Sequence, residues 1–139
     1  MIHEVKLQWK GKMQFESDGP GAIINIDAAE EVGGENAGAR PKALMLTSLA
    51  GCTGMDIASL MKKMRAEAED VQIDVSGELT EEHPKYYKKV KLEYRFYGKK
   101  LKKEKLQKCV DLSVEKYCGV MEMFRQFAEI EIEVNFIEG

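Results

Sequence analysis

The chain has 139 residues, 44% hydrophobic and 32% charged, with a formal net charge of -3. That length suits one domain, residues 1–139, with a core of its own, and the composition is not that of a disordered or fibrous chain. Three cysteines, Cys52, Cys109 and Cys118, form neither a C-x-x-C pair nor a zinc spacing, and His3 and His83 lie far apart in the sequence, so no metal site is expected.

The first residues, Met1 to Lys6, alternate apolar and polar and lack the apolar stretch of a secretory leader, so a cytoplasmic protein with reduced thiols is expected. Val5, Leu7 and Trp9 alternate with Lys6, Gln8 and Lys10, which predicts a half-buried strand. Gly11 interrupts it, and Met13 and Phe15 carry the alternation into a second strand. Ser17-Asp18-Gly19-Pro20-Gly21 reads as a turn, and Ile24 and Ile26 mark a third strand ending near Asp27. The glycine-rich stretch from Glu30 to Arg40 reads as a loop. Its Gly33-Gly34 pair lacks the lysine and threonine of a phosphate-binding loop.

Pro41 opens a long helix, where its missing N–H removes no bond. Between Lys42 and Lys62 the only formal charge is Asp56, and apolar residues occupy every face. Such a helix is buried or crosses a membrane. The Thr, Ser, Gly, Cys and Asp within it argue against a span. One face is expected on a sheet and the other on a second copy of the helix in a two-fold dimer, with Gly51 and Gly54 allowing close approach. Lys62, Lys63 and Arg65 then sit in the last turns, where the helix dipole favours cations.

Val71, Ile73 and Val75 predict a fourth strand, Glu81-Glu82-His83-Pro84 a turn, and Val90, Leu92, Tyr94 and Phe96 a fifth strand ending at Gly98. From Lys103 a second helix places Leu106, Cys109, Val110, Ser113, Val114 and Tyr117 on one stripe. Cys118 is expected to end that helix, with Gly119 just beyond it. A short third helix through Phe127 and a last strand over Ile130, Ile132, Val134 and Phe136 complete the chain. Lys85 to Lys108 holds eleven basic residues against Glu93 and Glu104. It reads as a solvated strand and turn rather than a nucleic-acid surface.

The thiols differ in setting. Cys109 on the apolar stripe reads as a small buried hydrophobe. Cys118, at a helix C-terminus, is a poor first nucleophile but suited to resolving an oxidised partner. Cys52 lies eleven residues after Pro41, beyond reach of the positive end of its helix. A free thiol ionises near about 8.5 and needs a nearby cation to react well at neutral pH, for which Arg40 is the candidate. Asp56, one turn on, opposes a thiolate unless it is paired. From its chemistry alone Cys52 is either reactive or part of the packing.

Arg40-Pro41, the run from Leu46 through Gly51-Cys52-Thr53-Gly54-Met55-Asp56, and Lys62-Lys63-Met64 together resemble the central helix of the OsmC/Ohr family. So do Glu81-Glu82-His83-Pro84 and Leu112-Ser113-Val114-Glu115-Lys116-Tyr117-Cys118, while Trp9-Lys10-Gly11 and Glu31-Val32-Gly33-Gly34 resemble its smaller OsmC-like branch. The resemblance implies an α+β fold, an antiparallel sheet wrapped on the long central helix, in an intertwined homodimer. It implies a cytoplasmic antioxidant enzyme of the oxidative stress response, a thiol peroxidase reducing organic hydroperoxides without metal or organic cofactor. Cys52 would attack the peroxide, Cys118 would resolve it as a disulfide, Arg40 would activate Cys52, and a dithiol such as a lipoyl group would be the reductant. No nucleic acid or membrane partner is implied. The family's glutamate that orients the arginine is replaced here, since the positions after Pro41 read Lys42-Ala43, leaving Glu31 or Glu35 as substitutes. Two other readings stand beside it. One is a non-catalytic dimer of this fold that binds an apolar ligand or partner, with Cys52 structural. The other is a thioester hydrolase with Asp56 as its carboxylate.

Overall fold

Two three-stranded sheets and three α-helices make up the α+β fold in the computed structural model, which describes all residues from Met1 to Gly139. The chain divides into two compact units, Met1–Met45 and Leu46–Gly139.

The first unit is a meander of β1 (Lys6–Gly11), β2 (Gln14–Gly19) and β3 (Ala22–Ile26), antiparallel throughout. The Trp9 indole N–H donates to the Lys12 carbonyl at 2.8 Å and fastens the first turn. The strands expected to be half-buried carry Leu7, Trp9 and Ile23 in the open, each more than half exposed. The loop after β3 holds a single 3-10 turn, Glu30–Val32. A Cβ on Gly34 would stand 1.9 Å from the Ala28 carbonyl oxygen, so only glycine fits there.

The second unit is built on β4 (Asp70–Leu79), β5 (Tyr87–Gly98) and β6 (Glu129–Glu138), in the order β4-β5-β6. The sheet is not purely antiparallel as expected. β4 and β5 form an antiparallel hairpin, but β6 runs parallel to β5. Parallel pairing needs a crossover, and α2 (Lys103–Leu112), a π turn (Ser113–Tyr117) and α3 (Gly119–Arg125) supply it. The central strand is the driest, with Val90, Leu92, Tyr94 and Phe96 fully buried. On its other face Arg95 holds Asp74 at 2.7 Å and Glu93 at 2.8 Å, and Asn135 reaches Glu93 at 2.8 Å. This ties all three strands through polar side chains. Lys88, Lys91 and Lys103 of the basic stretch pair with Glu78, Glu133 and Glu138, as a solvated surface would.

Helix α1 (Pro41–Lys63) is long and apolar enough to cross a bilayer by length and composition. Its Leu49, Thr53, Ile57 and Leu60, spaced on one stripe, instead lie in the core with β5, Leu106, Val110 and Phe124. Met45 and Met55 stay exposed. Within the chain, a Cβ on Gly54 would stand 3.5 Å from the Ile73 side chain of β4, while Gly51 has open space around it.

The second helix stops earlier than its stripe suggested. α2 ends at Leu112, and the wider π turn rotates Tyr117 to solvent, about half exposed. Cys118 caps the C-terminal end of the π turn and so closes the helical run as expected. Its extended backbone breaks the run, and it is also the N-cap of α3, with Gly119 the first residue of that helix.

Candidate functional site: a thiol pair beside a buried hydroxyl chain

The second unit brings Cys52 and Cys118 together. They are 66 positions apart in sequence, yet their side chains interact directly, and neither is in a disulfide. Cys52 is half-buried on α1, whereas Cys118 is 3% exposed. Burial pushes the Cys118 thiol up to about 11. The Met121 amide, donating to its sulfur at 3.3 Å, offsets this in part, while Cys52 and Asp56 add to it. Cys118 is thus a covered, protonated thiol facing an accessible one. Cys109 lies apart from this pair, fully buried against Met64 at 3.8 Å, and burial raises it as well.

Beside the thiols runs a chain of hydroxyls. Ser113 Oγ donates to Asp56 Oδ2 at 2.9 Å. Ser113 and Thr53 are joined at 2.6 Å, and Thr53 and Tyr94 at 2.8 Å. Because the carboxylate only accepts, Ser113 must take its other bond from Thr53, and Thr53 from Tyr94. The order is fixed as Tyr94 to Thr53 to Ser113 to Asp56. All three hydroxyl residues are buried, and desolvation pushes the Tyr94 phenol up to about 12 despite its bond to Thr53. Asp56, in the sequence only a charge opposing Cys52 or a hydrolase carboxylate, is the acceptor that ends this chain. Sequence reasoning does not single out Thr53, Ser113 or Tyr94 as site residues. The available signal is that Thr53 and Ser113 sit on apolar stripes, where a hydroxyl must find a partner.

Arg40 lies in the first unit. Its guanidinium donates to the Gly38 carbonyl at 2.8 Å and to the Asn36 side chain. Neither Glu31 nor Glu35 takes the family glutamate's place. Glu35 instead pairs with Lys12 at 3.4 Å and accepts from Gln14. The carboxylate that feels the charge of Arg40 is instead Asp27. Burial raises the Asp27 carboxyl, but the amides of Ala28, Ala37 and Glu35 and the charge of Arg40 outweigh it and hold it below the usual carboxylate range. Arg40 and Asp27 border a mostly apolar cavity of about 410 Å³ lined by Met13, Phe15, Ile26 and Val32. No group of three or more His, Cys, Asp or Glu side chains is gathered to hold a metal ion.

Residues 33–133 match the family model described as OsmC-like protein. Protein YhfA of Escherichia coli strain K12 is 31% identical over 90 residues, 65% of this chain and 67% of its own. The crystal structure of a hypothetical protein from Aquifex aeolicus VF5 superposes with a TM-score of 0.87 at 30% identity, covering 100% of this chain and 98% of that one. The organic hydroperoxide resistance protein OhrB of Bacillus subtilis shares the fold, with a TM-score of 0.68 at 19% identity over 96% of this chain and 98% of its own. By its sequence match, its fold and the meeting of its two distant cysteines, the chain belongs to the OsmC-like protein family.

Proposed function

We propose that the protein is a thiol-dependent peroxidase that reduces organic hydroperoxides through a Cys52/Cys118 disulfide cycle. The observation carrying this reading is the accessible thiol set against a buried one from a distant segment. The name of the Bacillus subtilis relative, an organic hydroperoxide resistance protein, supports the substrate class.

In this reading Cys52 thiolate attacks a peroxide oxygen. The O–O bond breaks, the sulfur is oxidised to sulfenic acid, and the alkoxide leaves as the alcohol after taking a proton. Cys118 then attacks the Cys52 sulfur, the S–O bond breaks, and hydroxide leaves as water with the Cys118 proton. A dithiol, lipoyl-type or other, restores both thiols by exchange. The family resemblance assigns the activation of Cys52 to Arg40, and within the first unit the Asn36 side chain and the charge of Asp27 hold its guanidinium in place of the family glutamate. The working form is a cytoplasmic homodimer, which would cover the exposed Leu7, Trp9 and Ile23.

The test is one treatment with cumene hydroperoxide in a Cys109→Ser background, followed by intact mass. Loss of two hydrogens per chain is expected, and Cys118→Ser should instead gain one oxygen at Cys52. An unchanged mass in both would defeat the reading and leave the non-catalytic dimer, which the uncharged side chain of Ala43 already favours.

A further inference from the structure

The hydroxyl chain has no part in the cycle just described, yet it touches both elements that carry the thiols. Ser113 is the joint. Its hydroxyl is bonded to Thr53 and Asp56, which lie one residue and one turn beyond Cys52 on α1. Its carbonyl accepts the Cys118 N–H at 2.8 Å, across the π turn. The same turn is held from behind by Arg125, which donates to the Val114 carbonyl. π turns interrupt helices mostly where function needs a side chain re-aimed. We infer that Asp56, acting through the Ser113 hydroxyl, is the positioning residue that sets the turn carrying Cys118 against the helix carrying Cys52.

Three features make Asp56 the anchor. First, it is the acceptor that gives the chain its single direction, so that Ser113 has one hydroxyl orientation rather than two. Second, a bond to a carboxylate is stronger than one between neutral groups. Third, Asp56 is half-buried while Thr53, Tyr94 and Ser113 are fully buried, so the anchored end of the chain lies on the side of the accessible thiol. Positioning matters because a disulfide accepts little error: Cβ atoms must come within roughly 3.5–4.5 Å with a torsion near 90°. A hydroxyl chain that fixes the turn to the helix limits where Cys118 can sit relative to Cys52.

This inference rests on the two-thiol reading proposed above, and its experiment avoids peroxide so that the two fail separately. Full-length protein in a Cys109→Ser background is equilibrated with reduced and oxidised glutathione. The reaction is protein dithiol plus oxidised glutathione giving protein disulfide plus two reduced glutathiones, so its equilibrium constant is the effective concentration of one thiol at the other. Ser113→Ala and Asp56→Ala should each lower that constant at least tenfold. Asp56→Asn keeps an acceptor and should lose less than threefold. Leu106→Val, a core truncation away from the chain, should stay within twofold although it destabilises the fold. If Ser113→Ala does not fold, the half-buried Asp56 pair of variants decides. Folded Asp56→Ala within twofold of wild type overturns the inference. So does a fall in Leu106→Val as large as that in Asp56→Ala, because the effect would then be general loss of stability. A protein that forms the disulfide in glutathione, responds to Asp56→Ala, and ignores cumene hydroperoxide refutes the peroxidase reading and upholds the positioning role.

Discussion

The most exposed consequence of the proposed cycle is the pH dependence of its resolving step. Cys118 must lose its proton before it attacks oxidised Cys52, because the thiolate is the nucleophile. Burial holds that thiol at about 11. At pH 7 its thiolate fraction is therefore about one in ten thousand, and at pH 9 about one in a hundred, following the ionisation equilibrium. The perturbation is a pH jump after rapid oxidation of Cys52 in a Cys109→Ser background. The assay follows the loss of sulfenic acid that dimedone can trap, by quenched flow and mass. The rate should rise about tenfold per pH unit between pH 7 and roughly pH 10 and level off only above it. A rate that is flat between pH 7 and 9 would refute the reasoning. It would mean that a neighbouring base takes the Cys118 proton, or that the sulfur leaves its dry setting once Cys52 is oxidised.

The raised Cys118 group also bears on stability. Its neutral form is favoured in the folded state, so its contribution is fully present below the unfolded thiol value and is lost as pH rises through about 11. Two pH units correspond to roughly 3 kcal/mol, and Cys118→Ala should flatten the alkaline limb of a urea-denaturation series between about pH 9 and 11. Cys109→Ala removes a buried sulfur with no partner but Met64. It should cost roughly 1–2 kcal/mol in denaturant midpoint and leave peroxide-driven disulfide formation intact. Arg40→Ala should slow oxidation of Cys52 by cumene hydroperoxide at pH 7, as the activating role proposed for Arg40 requires. Unchanged second-order rates would assign the activation to another group.

Strand and helix identities were legible because their residues repeat with clear periods. The alternation in β4 to β6 and the unbroken apolar run of α1 each specify one element. The parallel pairing of β6 was not legible, since alternation reports which residues face the core and not which neighbour a strand chooses. The end of α2 was hidden for a related reason. A five-residue π turn keeps Leu106, Cys109, Val110 and Ser113 in line and displaces only the residues at its far end, Tyr117 and Cys118. Of the site, the pairing of Cys52 with Cys118 was named only through the family resemblance, since the residues alone left Cys52 either reactive or part of the packing. The hydroxyls could not be named, because Thr53, Tyr94 and Ser113 gain meaning only from being dry and mutually bonded, which depends on three elements converging.

The parallel crossover also sets an order of events during folding. Within the β4–β5 hairpin, Leu79 meets Tyr87 only eight positions on, whereas Lys89 of β5 meets Glu129 of β6 forty positions on. Closing the longer loop costs more entropy and returns it only when the whole ladder is made, so non-local pairing of this kind is slow. Ser113 and Cys118 both lie inside that longer loop. The hairpin therefore forms while Cys118 is still far from Cys52, and an oxidant present during refolding finds two separate thiols rather than a pair. In the proposed cycle only a chain that has completed its sheet makes an efficient disulfide, so the yield of that bond after refolding in a redox buffer should report how much of the population has reached the native topology.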